Sequence, residues 1–279
     1  MITTCYNTYY ASSCVDGALQ LINVSDPSSP VLVGTVSGST SALLRDSGHD
    51  VATFERGAFT YAFVHTGLGR LMIDISDPSN PAVVDSHSFP LGVLKPNPRV
   101  AMFKRGASTF AITSNSEPEI LLLDVSDPTS PVEGGNLSAA SSAILGQVKA
   151  LATFERGGST FAMAGQSQMS TVSNGQTQMA TNASNAVLLL DVSDPANPNI
   201  LATLTDGADG GSVKLIDTKA IASFEVHGLL YAIATGNSGN SMQLMLLSSA
   251  SHTMPPIAPP PPAMPHRPCL TALASPLHL

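Results

Sequence analysis

One octapeptide recurs along this chain and constrains its fold more than any other feature. It reads Asp-x-Ser-Asp-Pro-x-x-Pro and begins at Asn23, Asp74, Asp124 and Asp191, with Asn replacing Asp in the first copy. Successive copies lie about 50 residues apart, and only the last interval is longer. A second segment, typified by Val51–Gly57, also recurs but runs out of phase with the octapeptide. The chain is therefore an array of one repeated structural unit.

Each unit consists of short apolar runs separated by turn residues. In the second unit, the pattern predicts four strands at His49–Glu55, Thr60–Thr66, Leu71–Ser76 and Ala82–Ser88. Gly, Pro, Asp and Ser fill the breaks, and each suits a turn for its own backbone or side-chain reason. Four strands in a period of about 50 residues are typical of a β-propeller blade. We therefore expect an all-β fold, a β-propeller of about five four-stranded blades whose first and last are incomplete.

The blade count leaves open whether the ring closes, so a fragment of a larger ring is the alternative. The propeller is expected to occupy residues 1–250, with units at about 8–37, 49–88, 98–138, 148–204 and 218–248. Residues 166–184 form a polar insertion in the fourth unit, for which we predict a surface loop. Residues 251–279 contain nine prolines and predict a polyproline or disordered tail.

Charge and composition exclude several classes of protein. The chain has 12 Lys and Arg against 20 Asp and Glu, and its cations are scattered, so neither nucleic acid nor an anionic membrane is an expected partner. Its apolar runs are too short to insert across a membrane. Cys5, Cys14 and Cys269 are too few for a disulfide framework or a zinc site. We expect a monomer, with no signal peptide in this chain because Met1–Ser13 lacks basic residues and an apolar stretch.

Candidate binding residues lie where the predicted innermost strands begin, a region called here the hub mouth. It comprises His49, Asp50, Arg99, Lys149 and Lys219. Loops joining the second and third strands add His65, Arg70, Asn115, Glu117, Glu119, Asn237 and Asn240. The hub mouth itself is mixed but largely cationic, which suggests an anionic or polar ligand. No residue is assigned as catalytic, and the alternative is a hydrolase-like enzyme that uses His49, Asp50, Arg99 and Lys149.

The repeated residues outside the hub mouth have structural interpretations. The octapeptide carboxylates are expected to accept backbone amides in their own turns. Phe54, Phe103, Phe154 and Phe224 are expected to pack between sheets, and the Arg of each Glu-Arg-Gly or Lys-Arg-Gly segment (Arg56, Arg105, Arg156) to be solvated at a hairpin tip. No cofactor is expected. Asp206 and Asp209 are spaced as calcium ligands in a glycine-rich loop, but they are weak candidates because the loop lacks the further acidic ligands that calcium needs.

The Leu-x-x-Asp strands Leu71–Asp74, Leu121–Asp124 and Leu188–Asp191, each followed by the rest of the octapeptide, resemble the LVIVD repeat family of cell-surface and secreted β-propellers. Thr153–Ala162 is similar to the form of this repeat found in large extracellular proteins. The resemblance implies an extracellular or cell-surface interaction and adhesion scaffold with a protein or glycan ligand. A truncated gene product without intact function is a further alternative, suggested by the abrupt start and the proline-rich tail.

Overall fold

The computed structural model covers most of the repeat region. The described residues are 2–3, 17–45, 50–90, 98–115, 117–138, 140–142, 144–167, 170–173, 176–179, 185–207, 215–236, 241–248 and 276–278. Within these ranges every regular element is a β-strand, apart from one 3-10 turn at Ala42–Arg45. The all-β prediction is confirmed.

Five sheets follow one another along the chain. The first contains β1 (Ile2–Thr3), β2 (Ala18–Asn23) and β3 (Val31–Ser37); the second contains β4 (Asp50–Arg56), β5 (Phe59–Thr66), β6 (Gly69–Asp74) and β7 (Ala82–Ser88). The third contains β8 (Arg99–Arg105), β9 (Ser108–Ser114), β10 (Glu119–Asp124) and β11 (Val132–Ser138).

The fourth sheet contains β12 (Gln147–Arg156), β13 (Ser159–Ser167), β16 (Ala186–Asp191) and β17 (Asn199–Thr205). The fifth contains β18 (Thr218–Val226), β19 (Leu229–Gly236), β20 (Ser241–Ser248) and β21 (Pro276–His278). Between β13 and β16, the strands β14 (Ser170–Ser173) and β15 (Gln176–Met179) form a separate hairpin. Neighbouring strands in the five sheets are antiparallel, except that β21 runs parallel to β20.

In the second, third and fourth sheets, the octapeptide joins the end of the third strand to the second strand. In the second sheet, the Asp74 carboxylate accepts the Ser76 amide at 2.9 Å, and Ser76 Oγ accepts the Thr60 amide at 2.9 Å. Asp77 then accepts the Ser79 amide at 3.0 Å, and the Ser79 hydroxyl and amide lower the pKa of its carboxyl. Equivalent bonds recur at Asp124, Asp127, Asp191 and Asp194. The expectation that these carboxylates accept their own turn amides is confirmed.

Consecutive sheets bury apolar residues against each other. Four clusters each join one sheet to the next in chain order; one of them, for example, brings Phe54 of β4 and Phe63 of β5 against Val100 of β8. The first strands of the last four sheets also pack in sequence, β4 on β8, β8 on β12 and β12 on β18. The first strands therefore lie innermost, and the sheets are the blades of a β-propeller.

An outer contact joins the octapeptide turn of the fourth blade to the third blade. The Gly135 amide in β11 donates to Pro195 O at 2.7 Å, in the turn of the following blade. A Cβ at Gly135 would stand 2.4 Å from Pro198 Cδ and 2.5 Å from Ala196 O. Only a residue without a side chain permits this approach. The proline-containing turn is thus part of the packing between blades.

Three features of the ends and the insertion differ from the sequence interpretation. The insertion is not a simple loop, because it contains the β14–β15 hairpin. Residues Pro276–His278 of the predicted tail pair with β20 and complete a fourth strand of the last sheet. In the first sheet, β1 at Ile2–Thr3 pairs with β2. Residues 8–16 of the predicted first unit and the tail segment 251–275 lie outside the described residues.

Two repeated side chains also differ from expectation. Phe54, Phe103 and Phe154 are buried, but Phe224 is 39% exposed, so its assignment to the core is wrong. Each of the first three packs against the next blade, whereas no cluster of the described residues covers Phe224. Arg156 is not a simply solvated hairpin charge, because its guanidinium donates to the Leu247 carbonyl of the fifth sheet.

Phe154→Ala should destabilise the protein by about 3–5 kcal/mol, because it removes a buried aromatic ring from the core between the fourth and fifth blades. Phe224→Ala is a matched control, since both rings stack on an aromatic residue across their hairpin, at 5.3 Å for Phe154 and 5.6 Å for Phe224. The exposed control should cost about 1 kcal/mol or less. Urea unfolding of both variants measures the difference, and equal losses would contradict the assigned strand facing.

Candidate functional site

The hub mouth is formed by the beginnings of β4, β8, β12 and β18. Because neighbouring strands are antiparallel, the ends of β5 and β9 and the beginnings of β6 and β10 lie at the same end of the propeller. This arrangement brings Asp50, Arg99, Lys149 and Lys219 to one end, each near the beginning of a different first strand. His49, Asn237 and Asn240 lie outside the described residues.

Asp50 connects the second blade to the third. Its Oδ2 accepts the Val100 amide at 2.9 Å, and its Oδ1 accepts the Val51 amide at 3.0 Å. Burial raises the pKa of Asp50, while both amides and the charge of Arg99 act in the opposite direction. Both carboxylate oxygens are therefore engaged with the backbone of the innermost strands.

Arg99 makes the corresponding connection between the third and fourth blades. Its Nε donates to the Lys149 carbonyl, and its Nη1 donates to Pro98 O at 2.6 Å. The carbonyl oxygen of Arg99 lies 3.3 Å from His65 Nδ1, which makes Nδ1 the protonated nitrogen of that contact. The guanidinium thus spans two blades through backbone carbonyls.

Lys149 and Lys219 bring two ammonium groups to the same side of the hub mouth. Burial lowers the pKa of Lys149, and the charges of Lys219 and Arg99 lower it further, while the Asp217 carboxylate raises it. Lys219 Nζ lies 2.8 Å from Asp217 Oδ2. Asp217 is not among the site residues predicted from the sequence. Its position two residues before Lys219, at the start of a first strand, is the signal that would have found it.

His65 and Arg70 lie directly opposite each other on β5 and β6 and line a small cavity between the second and third blades. Arg70 Nη1 is 3.5 Å from Glu133 Oε1, and Arg70 Nε is buried with no hydrogen-bond partner. The cavity volume is about 30 Å³, and Phe89 and Glu119 also line it. This is enough room for one or two water molecules, which would satisfy the unpaired Nε.

The remaining loop candidates have local roles. Asn115 Oδ1 accepts the Glu117 amide at 2.8 Å and so shapes the loop between β9 and β10. Asp206 accepts the Leu215 amide at 2.7 Å, and Asp209 lies outside the described residues. Across the described ranges, no three His, Cys, Asp or Glu side chains converge as metal ligands. In the same ranges, no helix is long and apolar enough to cross a membrane.

Comparison with known proteins identifies the repeat. The LVIVD repeat model matches residues 13–37, 60–88 and 116–138, which include the last two strands of each of the first three sheets. These three regions of the chain are therefore LVIVD repeats, and the sheets that contain them are blades of a β-propeller. No curated protein sequence matches it.

Solved structures with a similar arrangement share little sequence with this chain. The β-propeller domain of Cps50 (Swd1) from Myceliophteria thermophila is 12% identical over 81% of this chain, with a TM-score of 0.49, and the match spans 63% of that domain. A functionally unknown protein from Desulfotomaculum acetoxidans is 12% identical over 88% of this chain and 69% of its own, with a TM-score of 0.49. The WD40 domain of SCAP from fission yeast is 10% identical over 93% of this chain and 66% of its own, with a TM-score of 0.41. The fold assignment rests instead on the sheets and repeats of the chain itself.

Asp50→Asn should change the pH dependence of stability. Because burial raises the folded pKa of Asp50, its folded state binds a proton more tightly than its unfolded state. The stability it contributes is therefore fully present below the unfolded pKa and declines as pH rises through the folded pKa. We expect the unfolding free energy of the wild type, relative to that of Asp50→Asn, to decline as the pH rises above about 4, the ordinary pKa of an aspartate. Urea titrations across this range measure it, and a difference independent of pH would refute the assignment.

Proposed function

We propose that this LVIVD propeller is a non-enzymatic interaction module that binds a protein or glycan partner. The observation that carries the proposal is that the Asp50 and Arg99 side chains form hydrogen bonds with backbone groups. Both oxygens of the Asp50 carboxylate accept backbone amides, and Arg99 donates to backbone carbonyls of its own and the next blade. These two side chains therefore fasten neighbouring blades together.

The same geometry weighs against the hydrolase-like alternative. A general acid or base must reach the proton it transfers, and both Asp50 oxygens are already occupied. His65 directs Nδ1 towards the carbonyl of Arg99, which is again a backbone group. The hydrogen bonds described for Asp50 and Arg99 thus join these side chains to backbone groups.

The site of action is proposed from the family. The LVIVD resemblance favours a cell-surface or extracellular location, where a monomeric propeller would present its loops to a ligand. The hub mouth combines the cations Arg99, Lys149 and Lys219 with the carboxylates of Asp50 and Asp217. It is the surface on which a polar ligand would find charged partners.

Two measurements on the purified protein test this proposal. On arrays of glycans and extracellular proteins, we expect saturable binding to at least one member. On a panel of chromogenic glycosides, esters and phosphate esters, we expect the wild type to give no more turnover than Asp50→Asn. Turnover that the wild type shows and the folded Asp50→Asn variant lacks would overturn the proposal in favour of an enzyme. Absence of binding on every array would also count against it.

A further inference from the structure

Three consecutive innermost strands each bring one cation to the hub mouth. Arg99 begins β8, Lys149 lies near the start of β12, and Lys219 lies near the start of β18. These strands pack against one another in that order, so the three charges occupy adjacent positions around the hub. The Arg99 guanidinium donates to the Lys149 carbonyl, and this bond holds the guanidinium beside the backbone of Lys149.

Each of the two lysines lies at a β-bulge, where it has no directly opposite residue on the neighbouring strand. In the pairing of β12 with β13, Val148 opposes Gln166 and Ala150 opposes Gly165, so that Lys149 is left without a partner position. In the pairing of β18 with β19, Thr218 opposes Gly236 and Ala220 opposes Thr235, which leaves out Lys219. The pairings of β4 with β5 and of β8 with β9 have no such irregularity. Bulges therefore occur at this position in the two blades that carry a lysine there.

The bulge at Lys149 changes the direction of its neighbours. Two residues apart on a regular strand, Val148 and Ala150 would face the same side of the sheet. Instead, Val148 packs in the core between the third and fourth blades, and Ala150 packs in the core between the fourth and fifth. Lys149 thus lies at the point where the strand reverses its facing, between two buried cores. Bulges commonly re-aim a side chain beside a functional site.

Among the described residues around Lys149, cations outnumber carboxylates. Lys149 is partly buried beside two other cations, and the nearby carboxylate of Asp217 is in an ion pair with Lys219 at 2.8 Å. The carboxylate of Asp50 is held by the Val51 and Val100 amides on the opposite side of Arg99. Crowding cations in a partly buried place is unfavourable unless an anion joins them, and a doubly charged anion gains about twice the Coulomb energy of a singly charged one.

We propose that the hub mouth binds a tetrahedral oxyanion, a sulfate or phosphate group, between Lys149 and Lys219, with Arg99 closing one side. The inference rests on the proposed function, because it names the ligand chemistry of that interaction module. Both the free ion and the same group carried on a glycan have this chemistry.

Thermal unfolding with added sodium sulfate, inorganic phosphate or a sulfated disaccharide, each against sodium chloride at equal ionic strength, tests the site. We expect saturable stabilisation by at least one of these oxyanions. Lys149→Met and Lys219→Gln should each weaken binding by about tenfold or more, because each removes a charged hydrogen-bond donor. Lys104→Gln removes the same charge from an exposed hairpin and should leave binding unchanged. Tighter binding of the disaccharide assigns the group to a glycan, and tighter binding of a free ion assigns it to the ion.

The stability of Lys149→Met without added oxyanion shows whether this variant is folded. Without added oxyanion it should be at least as stable as the wild type, because it removes a partly buried charge beside two others. The inference is overturned if chloride stabilises as well as the oxyanions do, or if all three lysine variants respond alike. Array binding that survives Lys149→Met would leave the interaction module standing without this site. Hydrolysis of a sulfate or phosphate ester would instead refute the non-enzymatic function and keep the site.

Discussion

The packing of one blade against the next is the interaction on which the rest of this structure depends. Single four-stranded sheets of this kind have two apolar faces, and neither can be covered within one unit. Phe54 and Phe103 each fill the space before the following blade, and four apolar clusters join the five sheets in chain order. Stability is therefore shared between neighbours, as in other repeat proteins.

The same packing explains why two charged residues of the hub mouth form hydrogen bonds between blades. Asp50 and Arg99 reach from one innermost strand to the backbone of the next, where neighbouring first strands do not form a regular hydrogen-bonded ladder. Lys149 and Lys219 differ, because bulges take them out of the strand pairing. Asp50 and Arg99 therefore join neighbouring blades, whereas the two lysines lie at irregular positions of their own sheets.

Much of the fold could be predicted from the sequence because it depends on short-range chemistry repeated in register. The Asp-x-Ser-Asp-Pro turn uses side chains and amides within a few residues of each other, as at Asp74 and Ser76. The exposure of Phe224 and the bond from Arg156 to Leu247 depend on which blade lies alongside, so no local pattern predicts them. The bulges at the lysines and the ion pair of Asp217 likewise arise from strand register, which the sequence pattern does not specify to one residue.

The contact between the Asp50 carboxylate and the Val100 amide tests the central claim most directly, because these residues are far apart in sequence and meet only if successive first strands lie side by side. A pH titration of the amide signals by NMR measures it. The account predicts that the Val100 amide shifts with the ionisation of Asp50, as the Val51 amide does, and that both responses disappear in Asp50→Asn. A Val100 amide that stays constant while that of Val51 moves would contradict the arrangement of blades around a common hub.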